Sequence, residues 1–238
     1  MKIKTPEKRG GVQFIFKWGS HQPVVNAMVE LISPKLIVEL GVGRYSTPIF
    51  LKFKAEKILH IDNDSGWLEL VKKENADNIT DKSEFRHHDL SKVNINKLNI
   101  LPSELDQDQK NFIDRYYKDL YKEIETMNYK SSIIFTDGFA SCRKSSVDIL
   151  TEITDALIFH DAEEPKTYGY DSLNQEIHKT HDEYLLKTST SWTGFFIRKG
   201  IIDFKNLNIL LDKHINKFVE DLGITKEGFK LIQMPSKL

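Results

Sequence analysis

Short continuous apolar runs alternate along this chain with segments whose apolar positions recur every three or four residues. The runs at 36–40 (Leu-Ile-Val-Glu-Leu), 57–62 (Lys-Ile-Leu-His-Ile-Asp), 132–137 (Ser-Ile-Ile-Phe-Thr-Asp) and 156–161 (Ala-Leu-Ile-Phe-His-Asp) read as strands buried on both faces, and 84–89 as a further strand ending in an acid. Helical spacing predicts a helix over 23–32, where Val24, Val25, Met28, Val29 and Ile32 share a face and Ser33-Pro34 ends it. Further helices are expected near 46–53, 66–75 and 143–152. A long helix over 106–127 carries Phe112, Ile113, Tyr116, Tyr117, Leu120 and Ile124 on one face, and another over 204–222 ends at Gly223. The segments 184–188 and 192–198 suit an antiparallel pair closing the sheet. Strand-helix alternation calls for parallel pairing with right-handed crossovers. The expected fold is therefore α/β: a doubly wound, mostly parallel seven-stranded sheet with an antiparallel last strand and helices on both faces. One domain over 1–238 accommodates it, with an N-terminal cover and helix at 1–35, a helical insertion at 90–130 and a C-terminal helix within 202–238. Before the first helix, Phe14, Phe16 and Trp18 among glycines suggest a strand or arm lying over the core.

Composition narrows the function classes more than it names one. The chain has 238 residues, 39% of them hydrophobic, which suits one sizeable core better than two. Its formal net charge is -1, so no global basic field is available to hold nucleic acid by its phosphates, and no nucleic-acid partner is expected. Cys142 is the single cysteine, which excludes an intrachain disulfide and suits a reducing compartment. The opening residues are charged without a following apolar run, and no apolar stretch approaches the ~20 residues of a membrane span. A cytoplasmic protein without a membrane partner is the expectation.

The chemistry concentrates around the first strand. Residues 36–47 read Leu-Ile-Val-Glu-Leu-Gly-Val-Gly-Arg-Tyr-Ser-Thr, a buried strand running into a glycine turn and a helix, and the second strand ends in Asp62. Glycine at 41 and 43 permits a tight turn and close approach of a ligand, while an acid at the tip of the next strand can accept the hydroxyl hydrogens of a ribose. A dinucleotide site wants a third glycine three residues after the second; Ser46 stands there, followed by Thr47 and Pro48. Glu39 lies two residues before Gly41 in a strand buried on both faces, where an unpaired carboxylate costs several kcal/mol. A cationic partner is the natural remedy.

This Glu-x-Gly-x-Gly pattern with Ser-Thr following resembles motif I of the class I S-adenosylmethionine-dependent methyltransferases. The resemblance implies that Glu39, Gly41 and Gly43 line the methionine half of S-adenosylmethionine, that Ser46 also binds the cofactor, that Asp62 takes the ribose, and that Asp89 approaches the adenine or caps its own loop. The strand ends Thr136-Asp137-Gly138 and His160-Asp161 are similar to those of saccharide and small-molecule O-methyltransferases, of the glucuronoxylan and macrolide-sugar types, which implies a small-molecule or glycan acceptor.

Two chemistries fit the acids and the histidine on the acceptor side. A hydroxyl must lose its proton as it attacks a methyl group, so His160 or Asp161 acts as base with Asp137 orienting it. Alternatively, Asp137 and Asp161 hold a divalent cation such as Mg²⁺ that lowers the acceptor pKa. The catechol-type metal site has Asp-Asn on the second of these strands; Ala162 follows Asp161 here, and Glu163 or Glu164 would have to substitute. Arg143 suits either an anionic acceptor or an internal salt bridge. His87 and His88 face opposite sides of a strand and are poor joint ligands. Cys142 reads as an ordinary thiol. Tyr168 and Tyr170 sit in a loop suited to a lid, Trp192 suits packing, and the aromatic face of the 106–127 helix suits core covering, an acceptor pocket or a homodimer contact. The rival readings are a nicotinamide-dependent oxidoreductase, disfavoured by Ser46 and the lack of a Tyr-x-x-x-Lys pair, and a non-catalytic binding module on a methyltransferase fold.

Overall fold

The computed structural model describes residues 19–95 and 100–235, so the expected N-terminal arm with Phe14, Phe16 and Trp18 lies outside the described residues. The elements alternate as expected. Helix α1 (Gln22–Ile32) precedes β1 (Leu36–Leu40), α2 (Thr47–Lys52), β2 (Lys57–Asp62), α3 (Ser65–Glu74) and β3 (Ser83–His87). After the long α4 (Gln107–Met127) come β4 (Ser132–Thr136), α5 (Ala140–Leu150) and β5 (Ala156–His160). Two single-turn helices, α6 (Pro165–Tyr168) and α7 (Ile177–Thr180), lead into β6 (His181–Lys187) and β7 (Thr193–Arg198), and α8 (Phe204–Leu222) and β8 (Lys230–Gln233) follow.

All eight strands form one sheet in the order β3-β2-β1-β4-β5-β7-β6-β8. The first five neighbours pair in parallel, and β7 enters antiparallel between β5 and β6. The order β3-β2-β1-β4-β5 is the doubly wound arrangement in which ligands sit beyond the carboxyl ends of the strands. The sheet has one strand more than expected: β8 pairs antiparallel with β6 and is too short and too exposed to show as a buried run. Strand β3 stops at His87 because β2, its partner, stops at Asp62, which leaves Asp89 in the following loop.

Alternation along the strands assigns the two faces. Val38, Leu59, Ile134 and Leu157 meet α4 and α5 through Ile113, Tyr117, Leu120, Val147 and Leu150. Ile37, Ile58, Phe135 and Ile158 meet α1 and α8 through Val24, Met28, Leu207, Leu211 and Ile215. Glu39, His60 and His160 share the second face by the same period of two, so α1 roofs a face whose carboxyl edge is polar.

Helix ends follow ordinary capping chemistry. The side chain of Asp106 caps α4 at the backbone N–H of Gln109, and Gln109 returns the bond, while Asp64 caps α3 at Trp67. Gly223 ends α8 in the left-handed conformation. No helix among the described residues is long and apolar enough to cross a membrane.

One close approach fixes the β5–β7 packing. Gly194 lies opposite Phe159, and a Cβ built there would lie only 2.1 Å from the Phe159 ring, which is itself wedged against Tyr170 and Phe196. Gly194→Ala is therefore expected to lower stability by about 1–3 kcal/mol, the usual penalty of overpacking. Urea unfolding of the two proteins measures it, and an unchanged midpoint would contradict the packing.

Candidate functional site

The turn after β1 is held from three sides. Gly41 has φ +93°, and a Cβ there would collide with the backbone of Asp137 and Gly138, so glycine is required both by the turn and by the neighbouring β4 turn. Asp62 reaches across from β2: Val42 N–H donates to its Oδ2 at 2.8 Å, and Asp64 N–H to its Oδ1 at 2.8 Å. Each oxygen keeps a lone pair for a further donor. Burial pushes the Asp62 carboxyl up to about 6, against the pull of those two N–H groups. Trp67 from α3 closes the outer side, its Nε1–H donating to Val42 O at 2.7 Å. Ser46 is buried at the start of α2, beside Gly43.

Glu39 finds its partners inside the protein. Its carboxylate is fully buried and accepts from Thr47 Oγ1 at 2.9 Å and from His60 Nδ1 at 2.6 Å. Thr47 Oγ1 in turn accepts from Gly43 N–H at 3.1 Å, so Glu39 steadies the turn from beneath. The cationic or donor partner that a buried acid needs is thus supplied by β2 and α2.

At the ends of β4 and β5 the structure brings Asp137, Arg143, His160 and Asp161 together. Arg143, in the first turn of α5, places one nitrogen 2.8 Å from Asp137 Oδ1 and another 2.9 Å from Asp161 Oδ2, and also donates to the carbonyl of Gly138. The ring of Tyr168 stacks on the guanidinium at 4.2 Å. Asp161 takes φ 57°, a left-handed conformation that turns its carboxylate back toward Arg143 and Ser191. His160 Nδ1 lies 3.3 Å from Asp161 Oδ1 and 3.6 Å from Asp137 Oδ1, while Nε2 lies 3.2 Å from both Ser20 Oγ and Ser191 Oγ.

The electrostatics follow from this geometry. Burial alone would raise the Asp137 carboxyl, but Arg143 and then His160 hold it below the usual carboxylate range. Burial alone would lower His160, yet Asp137, with Asp161 beside it, raises it above the ordinary histidine value. His21, just before α1, stands edge-on to His160 at 4.8 Å, and burial together with His160 drops it to about 3. Two surface depressions, of about 470 and 320 Å³, lie along α4 and against α5 and include none of these residues.

No family model matches the chain, and no curated protein does. Solved structures do. Spermidine synthase from Thermotoga maritima is 12% identical with a TM-score of 0.50, covering 87% of this chain and 75% of its own. An O-methyltransferase from Bacillus cereus in complex with SAH is 11% identical with a TM-score of 0.48, covering 82% and 94%. An rRNA methylase from Streptococcus thermophilus is 11% identical with a TM-score of 0.47, covering 82% and 99%. The doubly wound α/β fold is shared with the spermidine synthase. At these identities the likeness is one of fold.

Within this doubly wound fold the residues named from sequence fall into two groups. Gly41, Gly43, Ser46 and Asp62 form the turn, and Asp137, His160 and Asp161 form one cluster with Arg143. Asp89 stands apart: its Oδ1 accepts from Ser91 N–H and Ser91 Oγ–H, capping its own loop. Arg143 makes the internal salt bridge, and its charge lies where a cation shared by Asp137 and Asp161 would sit. Tyr170 is buried with its hydroxyl directed at His160 O, and Tyr168 packs on Arg143, so neither stands free as a lid. Burial pushes the Cys142 thiol up to about 12, which suits an unreactive core residue. His88 is buried and stacks on Tyr116 at 3.4 Å. Ser20, His21, His60 and Ser191 were not anticipated, because each joins the site from a segment whose local pattern names no chemistry. His60 alone left a trace, a polar residue inside an apolar strand register with Glu39.

Truncating Arg143 would leave two largely buried carboxylates without their cation, and losses from breaking such a pair run to about 3–5 kcal/mol. Asp137 has a depressed folded pKa, so the stability it contributes is present above its unfolded pKa and is lost as pH falls through the folded one. Arg143→Met is accordingly expected to be strongly destabilised at pH 7, with the gap to wild type narrowing only below about pH 4, as Asp137 protonates. Thermal melts of both proteins across that range check this; a gap independent of pH would contradict it.

Proposed function

We propose that the protein is an S-adenosylmethionine-dependent methyltransferase acting on a hydroxyl oxygen of a small molecule or glycan. The observation that supports this most is the imidazole of His160 at the carboxyl end of β5, with carboxylates at Nδ1 and hydroxyl oxygens at Nε2. An alcohol seated where Ser20 and Ser191 now reach Nε2 could pass its proton to that nitrogen, and Asp137 and Asp161 would stabilise the resulting imidazolium. General-base assistance of this kind contributes about 10²–10⁴-fold. Arg143 positions both carboxylates. The balanced charge favours an uncharged or modestly charged acceptor over nucleic acid.

S-adenosylmethionine, when bound, would supply an electrophilic methyl group on a sulfonium. The residues that would hold it are Gly41, Gly43 and Ser46 at the turn and Asp62 at the ribose, through the lone pair left on each carboxylate oxygen. Glu39 acts through Thr47 as a positioning residue.

Calorimetry with S-adenosylhomocysteine decides the cofactor, and turnover of S-adenosylmethionine across hydroxyl acceptors decides the activity. Wild type is expected to bind, and Asp62→Ala to bind at least roughly tenfold more weakly, the loss of about one charge-assisted hydrogen bond. Only the ionised carboxylate accepts both ribose hydroxyls, so affinity should fall as pH drops through about 6. Binding without turnover would favour a non-catalytic binding module; absence of binding would overturn both readings. His160→Gln should keep the affinity and lose turnover.

The acidic limb of the rate has two sources with the same sign. His160 accepts a proton only when neutral, and its pKa is raised, so kcat should climb with pH to above the ordinary histidine range. A flat kcat profile between pH 6 and 9 would remove His160 from the base role.

A further inference from the structure

His21 is the part of this site that neither the turn nor the base employs. Its ring is 3% exposed, tilted over Phe135 at 5.0 Å and edge-on to His160, and neither ring nitrogen has a hydrogen-bond partner among the described residues. Leaving a buried donor or acceptor unpaired costs about 1–3 kcal/mol, and native interiors rarely tolerate two on one side chain. The ring is not stranded in an apolar pocket. A ligand atom each from His21, Asp137 and His160 lie within 4.8 Å of one another.

We propose that His21, Asp137 and His160 bind a first-row transition-metal dication, Zn²⁺ in the first instance. Two imidazoles and one carboxylate are the donor set of zinc and related ions, whereas Mg²⁺ prefers an all-oxygen shell. The site therefore differs from a Mg²⁺ site on Asp137 and Asp161, where Arg143 already stands. Zinc bonds of about 2.0–2.2 Å in a tetrahedral shell put ligand atoms roughly 3.3–3.5 Å apart, so side-chain rotation must draw the three atoms together by up to about 1.5 Å. Charge favours the ion as well. Asp137 and Asp161 bring two negative charges against the one positive charge of Arg143, and the Asp161–Arg143 contact survives when Asp137 turns to a metal. Three protein ligands leave a coordination position open, as in catalytic rather than structural zinc sites.

The inference goes beyond the methyltransferase reading and stands without it. A neutral imidazole has one nitrogen lone pair, so a metal-loaded His160 is not a base. The metal-loaded and base-competent forms are alternative states of one site.

The test is titration of chelator-treated, full-length protein with Co²⁺, followed by visible absorption, and with Zn²⁺, followed by calorimetry. One equivalent of each is expected, with the absorption bands of low-coordinate, nitrogen-ligated Co²⁺. His21→Ala, which removes no side-chain hydrogen bond among the described residues, and Asp137→Asn should each weaken binding at least tenfold, since even loss of a residue behind a ligand typically costs 10–100-fold. His214→Ala, altering a histidine on α8 bonded to Glu30, should leave it unchanged. Circular dichroism establishes that each variant is folded. Wild type without stoichiometric binding, or His21→Ala with wild-type affinity, would overturn the site and leave a protonated His160 as the second positive charge. S-adenosylhomocysteine calorimetry on the same samples separates the two conclusions, because metal binding can fail while cofactor binding holds, and the reverse.

Discussion

The guanidinium of Arg143 holds the carboxyl edge of the sheet together. Asp137 and Asp161 follow the carboxyl ends of neighbouring strands, and without a cation between them their charges would repel in a largely dehydrated setting. Arg143 meets both carboxylates and the Gly138 carbonyl with its planar fork, and Tyr168 stacks on its outer face. Asp161 adopts a left-handed backbone conformation at a cost of order 1 kcal/mol, and these contacts, with Ser191, offset it. With the carboxylates fixed, Nδ1 of His160 has a defined negative environment and Nε2 is directed at Ser20 and Ser191.

A second buried acid is handled by the same logic on the other side of the sheet centre. Glu39 would be untenable alone in β1, and β2 and α2 supply His60 and Thr47 to it. Because Thr47 also takes the Gly43 N–H, this pair sets the shape of the glycine turn. The two polar clusters meet where Gly41 passes the Asp137–Gly138 backbone, an approach that any side chain at 41 would block. The turn and the acid-histidine cluster are thus mechanically joined, and a change in one is felt by the other.

Much of the architecture was legible along the chain, for identifiable reasons. Strands buried on both faces appear as unbroken apolar runs, and long amphipathic helices such as α4 and α8 declare themselves by period and caps. β8 did not declare itself, because an exposed edge strand of four residues has no periodic signature. The run 84–89 reads as a strand through Asp89, but pairing with β2 ends β3 at His87, and Asp89 folds back on Ser91. Which acids matter was legible from position at strand ends; which partners they take was not. Arg143 suited an anionic ligand or a salt bridge equally until the depth of α5 against β4 and β5 placed its fork between two carboxylates.

The order of apolar and polar residues by itself determined the α/β class, the parallel core of the sheet, the glycine turn and the placing of acids at the carboxyl ends of β1, β2, β4 and β5. These are local consequences of period, of backbone freedom at Gly41 and of the cost of burying charge. Only the tertiary structure decided that Glu39 is satisfied by His60, that β7 enters between β5 and β6, and that Ser20 and His21 come to rest against His160, 140 residues away from Ser20 along the chain. Such contacts join segments whose own sequences carry no periodic or motif signal for one another, so they arise only when the packing of α1 across the sheet brings their ends together.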